Sequence, residues 1–204
     1  MEHINGVQRL IATQGFLSES DLHGFVHEAL ASEDVNGKRV LFIIPDSTRS
    51  MPMAAMFQAL FDAVHGRAKK MDCLVALGTH PPMLDEAINR MLGVTEEERT
   101  GKYASVGIYN HEWQNVDMLR RIGSVTEEEI GQSSSGRLRG RADVLINKRI
   151  FDYDLLCIVG PVFPHEVVGF SGGNKYFFPG IAGEEILNLF HWLGALISNP
   201  VING

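Results

Sequence analysis

The chain has 204 residues, of which 45% are hydrophobic, and its formal net charge at pH 7 is -7. This length suits one medium domain or two small ones, and the apolar content is enough for a buried core, which excludes a disordered chain. The negative charge argues against a general nucleic-acid binder, because such a protein needs a cationic face that releases counterions from phosphates.

The sequence predicts neither a membrane span nor a secretion signal. No segment approaches the roughly 18 consecutive apolar residues of a membrane helix, and the first residues lack a basic head followed by an apolar stretch. Cys73 and Cys157 lie singly in apolar runs without a CxxC pattern, which is typical of buried thiols in a reducing compartment. We therefore expect a soluble, cytoplasmic protein.

Short apolar runs alternate with amphipathic segments, a pattern typical of an α/β protein. In chain order the pattern predicts a helix at residues 18–32, a strand at 38–45, a helix at 52–65, a strand at 72–78 and a helix at 81–93. This succession predicts a Rossmann-like α/β fold, with a mixed or mostly parallel sheet and helices on both faces.

The second half of the chain continues the alternation less regularly. It contains predicted strands at residues 103–111, 142–150 and 152–162, and a predicted polar surface turn at 131–141. The last predicted helix, residues 183–197, is apolar nearly all round, so it must be covered on most sides. We expect part of its cover to come from a segment outside these 204 residues.

Ligands of open α/β sheets bind beyond the carboxyl ends of the strands, where the following loops present side chains into a crevice. These loops carry Asp46, Arg49, His80, His165 and Lys175. Each has an ordinary explanation: Arg49 could pair with Asp46, His80 could cap the next helix, and His165 could be a loop histidine of no consequence. Their shared position at one predicted sheet edge favours a common site.

The segment "GFSGGNKYFFPG", residues 169–180, holds four glycines and one lysine. A Walker phosphate loop is excluded, because Asn174 precedes the lysine and Tyr176 follows it, and the dinucleotide fingerprint GxGxxG does not fit either. The residues themselves therefore predict only a tightly turned or flexible loop that brings Lys175 close to an anionic ligand. A lysine that forms a Schiff base or binds phosphate in an unrelated α/β enzyme stays an alternative.

Four segments, in this order and at these separations, resemble the N-terminal domain of nickel-dependent lactate racemases: "PDSTRSMP", "ALGTH", "PHEVVGFSGGNK" and "FFPGIAGEEILNLFH". The resemblance runs from about Val40 to Ile197. Members of that family are longer, and their second domain supplies further catalytic residues. We therefore interpret residues 1–204 as the N-terminal, cofactor-carrying domain without its second domain.

The resemblance implies a nickel pincer nucleotide, joined through a thioamide to Lys175. Two cofactor sulfurs and a ring carbon hold the metal, and His191, which could otherwise be a buried core histidine, is the fourth donor. Such a square-planar set of soft donors with one imidazole suits nickel. The other residues assigned to cofactor binding are Ser171, Gly172, Gly173 and Thr48. A protein made without the cofactor maturation enzymes is expected to lack the group.

The reaction implied by the resemblance inverts a small 2-hydroxy acid such as lactate. A base takes the hydroxyl proton while hydride leaves for the cofactor, and the planar keto acid then receives the hydride on its other face. His80 and His165 match the two acid/base groups, which suits the pKa range of histidine. Arg49 matches the residue that holds the substrate carboxylate, and Asp46 is expected to assist there by positioning its neighbours.

Two departures from the family pattern lie beside the reactive residues: Asn174 replaces an alanine and Thr79 replaces a serine. The expected partners are the 2-hydroxy acid and the maturation enzymes, with no nucleic acid and no membrane, and the oligomeric state is left open. The alternative function is a non-catalytic module that binds the nucleotide cofactor but does not turn substrate over.

Overall fold

A computed structural model of the chain describes residues 2–4, 7–165 and 169–197. The strands are β1 Glu2–Ile4, β2 Val7–Arg9, β3 Arg39–Ile44, β4 Lys70–Val75, β5 Gly107–Asn110, β6 Leu119–Val125, β7 Ala142–Asn147, β8 Leu155–Ile158, β9 Pro164–His165 and β10 Gly169–Phe170. The helices are α1 Glu19–Ala31, α2 Met53–Val64, α3 Asp85–Leu92, α4 Glu96–Thr100, α5 Glu127–Ser133 and α6 Glu184–Leu196. No helix within the described ranges is both long and apolar enough to span a bilayer.

Four parallel strands form the central sheet, in the order β5-β4-β3-β8. Every residue of β3 after Arg39 is buried, which is the continuous apolar run that a strand covered on both faces requires. In the register, Ile44 pairs with Val75 of β4, and Ile43 pairs with Ile158 of β8. The predicted α/β class with a mostly parallel sheet is therefore confirmed.

The two faces of this sheet are covered differently. On one face α1, α2 and α3 pack in a large cluster against Phe42 and Cys73, among others. On the opposite face Leu41, Ile43 and Leu74 are covered by Ile146 of β7 and by residues of the lysine loop, the segment 171–183. The lysine loop is thus part of the hydrophobic core.

Several elements were not predicted or were predicted only in part. The predicted strand at residues 142–150 is β7, but β7 pairs antiparallel with β6, outside the parallel sheet. Neither β6 nor the β1-β2 hairpin was predicted. The segment 131–141 is not entirely a turn, because its first three residues belong to α5, which starts at a capping box between Thr126 and Glu129.

Helix α6 is less covered than its sequence predicts. Ile186 and Leu187, near its start, are buried, whereas the Trp192 side chain is 62% exposed. Within the part of the chain that the structure describes, α6 is covered mainly at its start, and cover from a segment outside residues 1–204 stays a prediction.

The start of α6 is held by a buried histidine, His111, which follows β5. Its Nε2 atom lies 2.9 Å from the carbonyl oxygen of Ala182, and the side-chain amide of Asn147 donates to its Nδ1 atom over 3.1 Å. Both ring nitrogens are therefore paired when the ring is neutral with its proton on Nε2. Burial lowers the pKa of His111 below its ordinary value of 6.5.

Acid should weaken the fold through His111. The unfolded chain protonates this ring below about pH 6.5, while the folded chain resists protonation, so the free energy of unfolding is expected to fall as the pH drops below that value. His111→Gln should reduce this pH dependence, and His27→Gln, at an exposed position, should not. Urea unfolding across pH 5 to 8 measures the effect, and an unchanged slope in His111→Gln would contradict it.

Gly93 ends α3 in the left-handed conformation, at φ 66°, and lies against α2. A methyl group at residue 93 would lie 2.5 Å from the Cβ atom of Ala54. Gly66 has a similar positive φ of 79° but open space where a methyl group would be. A comparison of alanine substitutions at the two glycines therefore distinguishes the cost of backbone strain from the cost of steric overlap.

Gly93→Ala is expected to be the more destabilising of the two substitutions. Gly66→Ala should cost about 1 to 2 kcal/mol for the left-handed backbone alone. Gly93→Ala should cost roughly 1 to 3 kcal/mol more, because α2 and α3 must shift apart. Urea unfolding of the two variants and the unsubstituted chain measures the difference, and equal losses would show that the overlap with Ala54 is relieved without cost.

Candidate active site

A cavity of about 200 Å³ lies at the carboxyl edge of the parallel sheet. It is bounded by the residues that follow β3, β4 and β8, by the lysine loop and by α6. The predicted site residues on its wall are Asp46, Arg49, His80, His165, Ser171, Gly172, Lys175 and His191. Thr48 and Gly173 were predicted with them but do not line the cavity.

Asp46 is the buried carboxylate of this edge and is 6% exposed. The Thr48 backbone N–H donates to Asp46 Oδ1 over 3.1 Å, and the Thr48 hydroxyl donates to the same oxygen over 2.5 Å. The other carboxylate oxygen contacts Nδ1 of His80. Burial raises the pKa of Asp46, but hydrogen bonds with Thr48 and His80 outweigh burial and leave it below the ordinary value of 3.8.

This arrangement orients His80. A carboxylate only accepts hydrogen bonds, so the contacting Nδ1 atom of His80 must carry the proton. Nε2 is then the nitrogen that can take or give a proton in the cavity, to which the half-exposed ring contributes. Asp46 therefore fixes the orientation of the His80 ring through this contact.

Arg49 follows these residues at the exposed rim of the cavity. The sequence left open that it pairs with Asp46, but within the described part of the chain its side chain forms no ion pair with that carboxylate. The link between the two residues is a backbone hydrogen bond of 3.3 Å from Arg49 N–H to the Asp46 carbonyl oxygen. The guanidinium is therefore in a position to bind an anion from solution.

The β9-β10 hairpin carries His165 on the side of β8. His165 pairs in register with Gly169, and its side chain lines the cavity. Ser171 ties the base of this hairpin together: its backbone N–H donates to the Phe163 carbonyl oxygen over 2.7 Å, and its hydroxyl accepts from the Phe163 N–H over 3.0 Å. The hydroxyl of Ser171 thus has a structural task beside its predicted role in cofactor binding.

The glycines of the lysine loop do different things. Gly172 has φ 80°, and a methyl group there would lie 2.5 Å from the carbonyl oxygen of Pro161, so this glycine permits close protein packing. Gly173 faces open space. Lys175, partly buried in a 3₁₀ turn, donates its backbone N–H to the Gly172 carbonyl oxygen over 3.0 Å.

The three aromatic residues after Lys175 lie in different surroundings. Tyr176 lines the cavity, whereas Phe177 and Phe178 pack into the core. The sequence suggested only that these aromatic residues shield the site from water, and it assigned Tyr176 no hydrogen-bonding role.

His191 lies on α6 and lines the cavity. Leu187 and Phe190 line the cavity with it, as the i, i+3 and i+4 spacing of one helix face requires. The imidazole is exposed, so it is not a buried core histidine. Across the described ranges no group of three His, Cys, Asp or Glu side chains could hold a metal ion by itself.

The sequence matches the family described as Lactate racemase N-terminal domain over residues 22–201. Two curated relatives are named lactate racemase. The one from Thermoanaerobacterium thermosaccharolyticum is 28% identical over 181 residues, which are 80% of this chain and 37% of that protein. The one from Lactiplantibacillus plantarum is 31% identical over 171 residues, which are 82% of this chain and 36% of that protein.

Two solved structures are similar to the chain. A crystal structure of a protein from Thermotoga maritima has a TM-score of 0.81 at 28% identity, over 92% of this chain and 44% of that one. The structure of the lactate racemase apoprotein from Thermoanaerobacterium thermosaccharolyticum has a TM-score of 0.63 at 25% identity, over 81% and 38%. The chain therefore spans less than half the length of each of these relatives.

The contact between Asp46 and His80 leads to a prediction about the tautomer of the imidazole. In the unsubstituted chain the neutral His80 ring should carry its proton on Nδ1, and Asp46→Asn should mix the two tautomers, because the amide can also donate. ¹⁵N NMR of the ring nitrogens distinguishes the forms. Asp62→Asn, which removes the carboxylate 3.9 Å from His23, is the matched control and should leave His80 unchanged. A proton on Nε2 of His80 in the unsubstituted chain would contradict the assignment.

Proposed function

The chain belongs to the family of lactate racemase N-terminal domains, and from this membership we propose that it is the cofactor-carrying part of a racemase or epimerase of small 2-hydroxy acids. The observation that carries the proposal is the meeting of five side chains around one cavity: Arg49, His80, His165, Lys175 and His191. The chain spans 37% and 36% of the two curated racemases, so the activity of those whole proteins is transferred here only as part of the proposal.

The donor set of the cavity supports a nucleotide that brings most of the donors for its own metal. The described residues offer no cluster of three protein ligands, but His191 supplies one exposed imidazole, and Lys175 lines the same cavity. Gly173 leaves open space beside the lysine. One imidazole with soft donors from a cofactor suits nickel. The solved lactate racemase is an apoprotein, which supports a separable group. We assign Lys175 as the attachment point of a nickel pincer nucleotide and His191 as the metal donor.

Such a group, when bound, would supply a hydride acceptor and donor for carbon 2 of the substrate. The residues of this chain would handle the protons. Nε2 of His80 would take the proton of the substrate hydroxyl, and the carboxylate of Asp46 would stabilise the resulting imidazolium. His165 would serve the opposite enantiomer. Each well-placed acid/base group contributes typically about 10²- to 10⁴-fold in rate.

Arg49 would hold the substrate carboxylate. A guanidinium is planar and permanently charged, so it can bind both oxygens of a carboxylate at once. The Asp46 carboxylate does not pair with the Arg49 guanidinium, because its oxygens contact Thr48 and His80 instead. The hydroxyl of Thr48 donates a hydrogen bond to Asp46. This bond supports a role for Thr48 in positioning the Asp46 carboxylate, in addition to its proposed contact with the cofactor.

A second candidate function is a module that binds the cofactor without turning substrate over; the chain spans 37% and 36% of the two curated racemases. In the two racemases the remaining length could supply further groups to the reaction. The two candidates differ in one measurement, the interconversion of D- and L-lactate by the loaded chain.

Attachment at Lys175 is tested by intact-mass spectrometry of the chain co-expressed with cofactor maturation enzymes. The unsubstituted chain should gain the mass of the cofactor less the small group released when the thioamide forms, and Lys175→Ala should gain nothing, because it lacks the amine. Lys148→Ala, at an exposed position away from the cavity wall, is the matched control and should keep the adduct. His191→Ala should keep the adduct but lose bound nickel in a metal analysis. An adduct that persists in Lys175→Ala would refute the assignment.

A further inference from the structure

Tyr176 is a buried aromatic residue on the wall of the cavity, next to Lys175. Its side chain is 8% exposed and belongs to the core cluster that contains Leu41 and Ile43 of β3. The ring is therefore anchored in the core, while the residue also borders the space where a ligand would bind.

The position of the phenol is set by Gly160, which follows β8. A methyl group at residue 160 would overlap the hydroxyl oxygen and the ring carbon that carries it. The hydroxyl end of Tyr176 thus lies directly against the backbone at the carboxyl end of β8. This is the same sheet edge that carries Asp46 and Arg49.

The hydroxyl of Tyr176 differs from that of Tyr153, which donates a hydrogen bond to Asp72. No described residue makes a hydrogen bond with the Tyr176 hydroxyl. Its oxygen does not belong to the fully buried side-chain atoms that lack a partner, so it is accessible to a small molecule. Polar groups of buried side chains are normally paired, so this hydroxyl is left for a molecule in the cavity.

The phenol stays protonated under ordinary conditions. Burial raises the pKa of Tyr176 to about 12, while the charge of Arg49 lowers it and that of Asp46 raises it. At neutral pH the group is therefore a neutral hydrogen-bond donor within electrostatic range of Arg49. A donor beside a guanidinium is suited to an anionic oxygen.

We propose that Tyr176 is a further substrate-binding residue, whose hydroxyl donates a hydrogen bond to the carboxylate that Arg49 holds. The identity of the ligand rests on the function proposed above. Both enantiomers of a 2-hydroxy acid carry the same carboxylate, so a racemase needs contacts there that do not depend on which face of carbon 2 reacts. A core-anchored phenol together with a guanidinium at the rim provides two such contacts.

The test is the equilibrium binding of D-lactate and of L-lactate to the cofactor-free chain, measured by ligand-observed NMR. Tyr176→Phe keeps the ring in the core and removes only the donor. It should weaken binding of both enantiomers by roughly 10-fold or more, the usual effect of losing a hydrogen bond to a charged group. Tyr103→Phe also removes a phenolic hydroxyl, but away from the cavity, and should bind like the unsubstituted chain.

A second variant approaches the same contact from the other side. Gly160→Ala should displace the hydroxyl and weaken binding of both enantiomers while Tyr176 itself is intact. Far-UV circular dichroism and thermal unfolding check that each variant is folded.

The outcomes separate this inference from the proposed function. Unchanged binding by folded Tyr176→Phe overturns the role of Tyr176 and leaves the racemase proposal standing. A loss for one enantiomer alone also overturns it, because the shared carboxylate contact requires equal losses. If the unsubstituted chain binds neither lactate, the substrate class fails and the role of Tyr176 fails with it.

Discussion

The parallel pairing of β3 with β4 and β8 is the constraint on which the rest of the structure depends. Neighbouring strands lie about 4.8 Å apart, so the chain leaves the sheet at three adjacent points after Ile44, Val75 and Ile158. Side chains separated by more than a hundred residues therefore line one cavity. The pairing is stable because β3 is apolar along its length and is buried from both faces.

Charge at this edge is arranged locally rather than by the composition of the whole chain. The chain carries a formal charge of -7, yet the cavity wall includes Arg49 and Lys175. Its buried carboxylate, Asp46, is engaged by Thr48 and His80. A negative protein can therefore present a local field that attracts a small anion, since nearby charges dominate at short range.

The position of α6 in the cavity wall depends on contacts with β7 and with the residue that follows β5. The backbone N–H of Gly183 donates to the Leu145 carbonyl oxygen over 2.9 Å, and His111 lies against Ala182. These contacts connect the start of α6 to β7 and to the end of β5. The direction of α6, and with it the place of His191, follows from this junction. A change at His111 could therefore alter the cavity without touching any residue that lines it.

Much of the fold was predictable because its signals are local. Continuous apolar runs predicted β3, β4 and β8, and Ser18 and Gly93 marked the start of α1 and the end of α3. The residues at the strand exits could also be named in advance, since parallel strands share a carboxyl edge. The antiparallel pairing of β6 with β7 was missed in part because periodicity along the chain does not tell a strand its partner, and α5 lies between the two strands.

The sequence by itself determined which elements form and which side chains follow them, because hydrogen bonding within helices and the burial of apolar runs act through near neighbours. Only the tertiary structure decided that Tyr176 borders the cavity while Phe177 lies in the core. It also decided that His191 is exposed and that the Tyr176 hydroxyl has no partner among the described residues. Exposure and pairing depend on distant residues such as Gly160, which only the folded chain brings into contact.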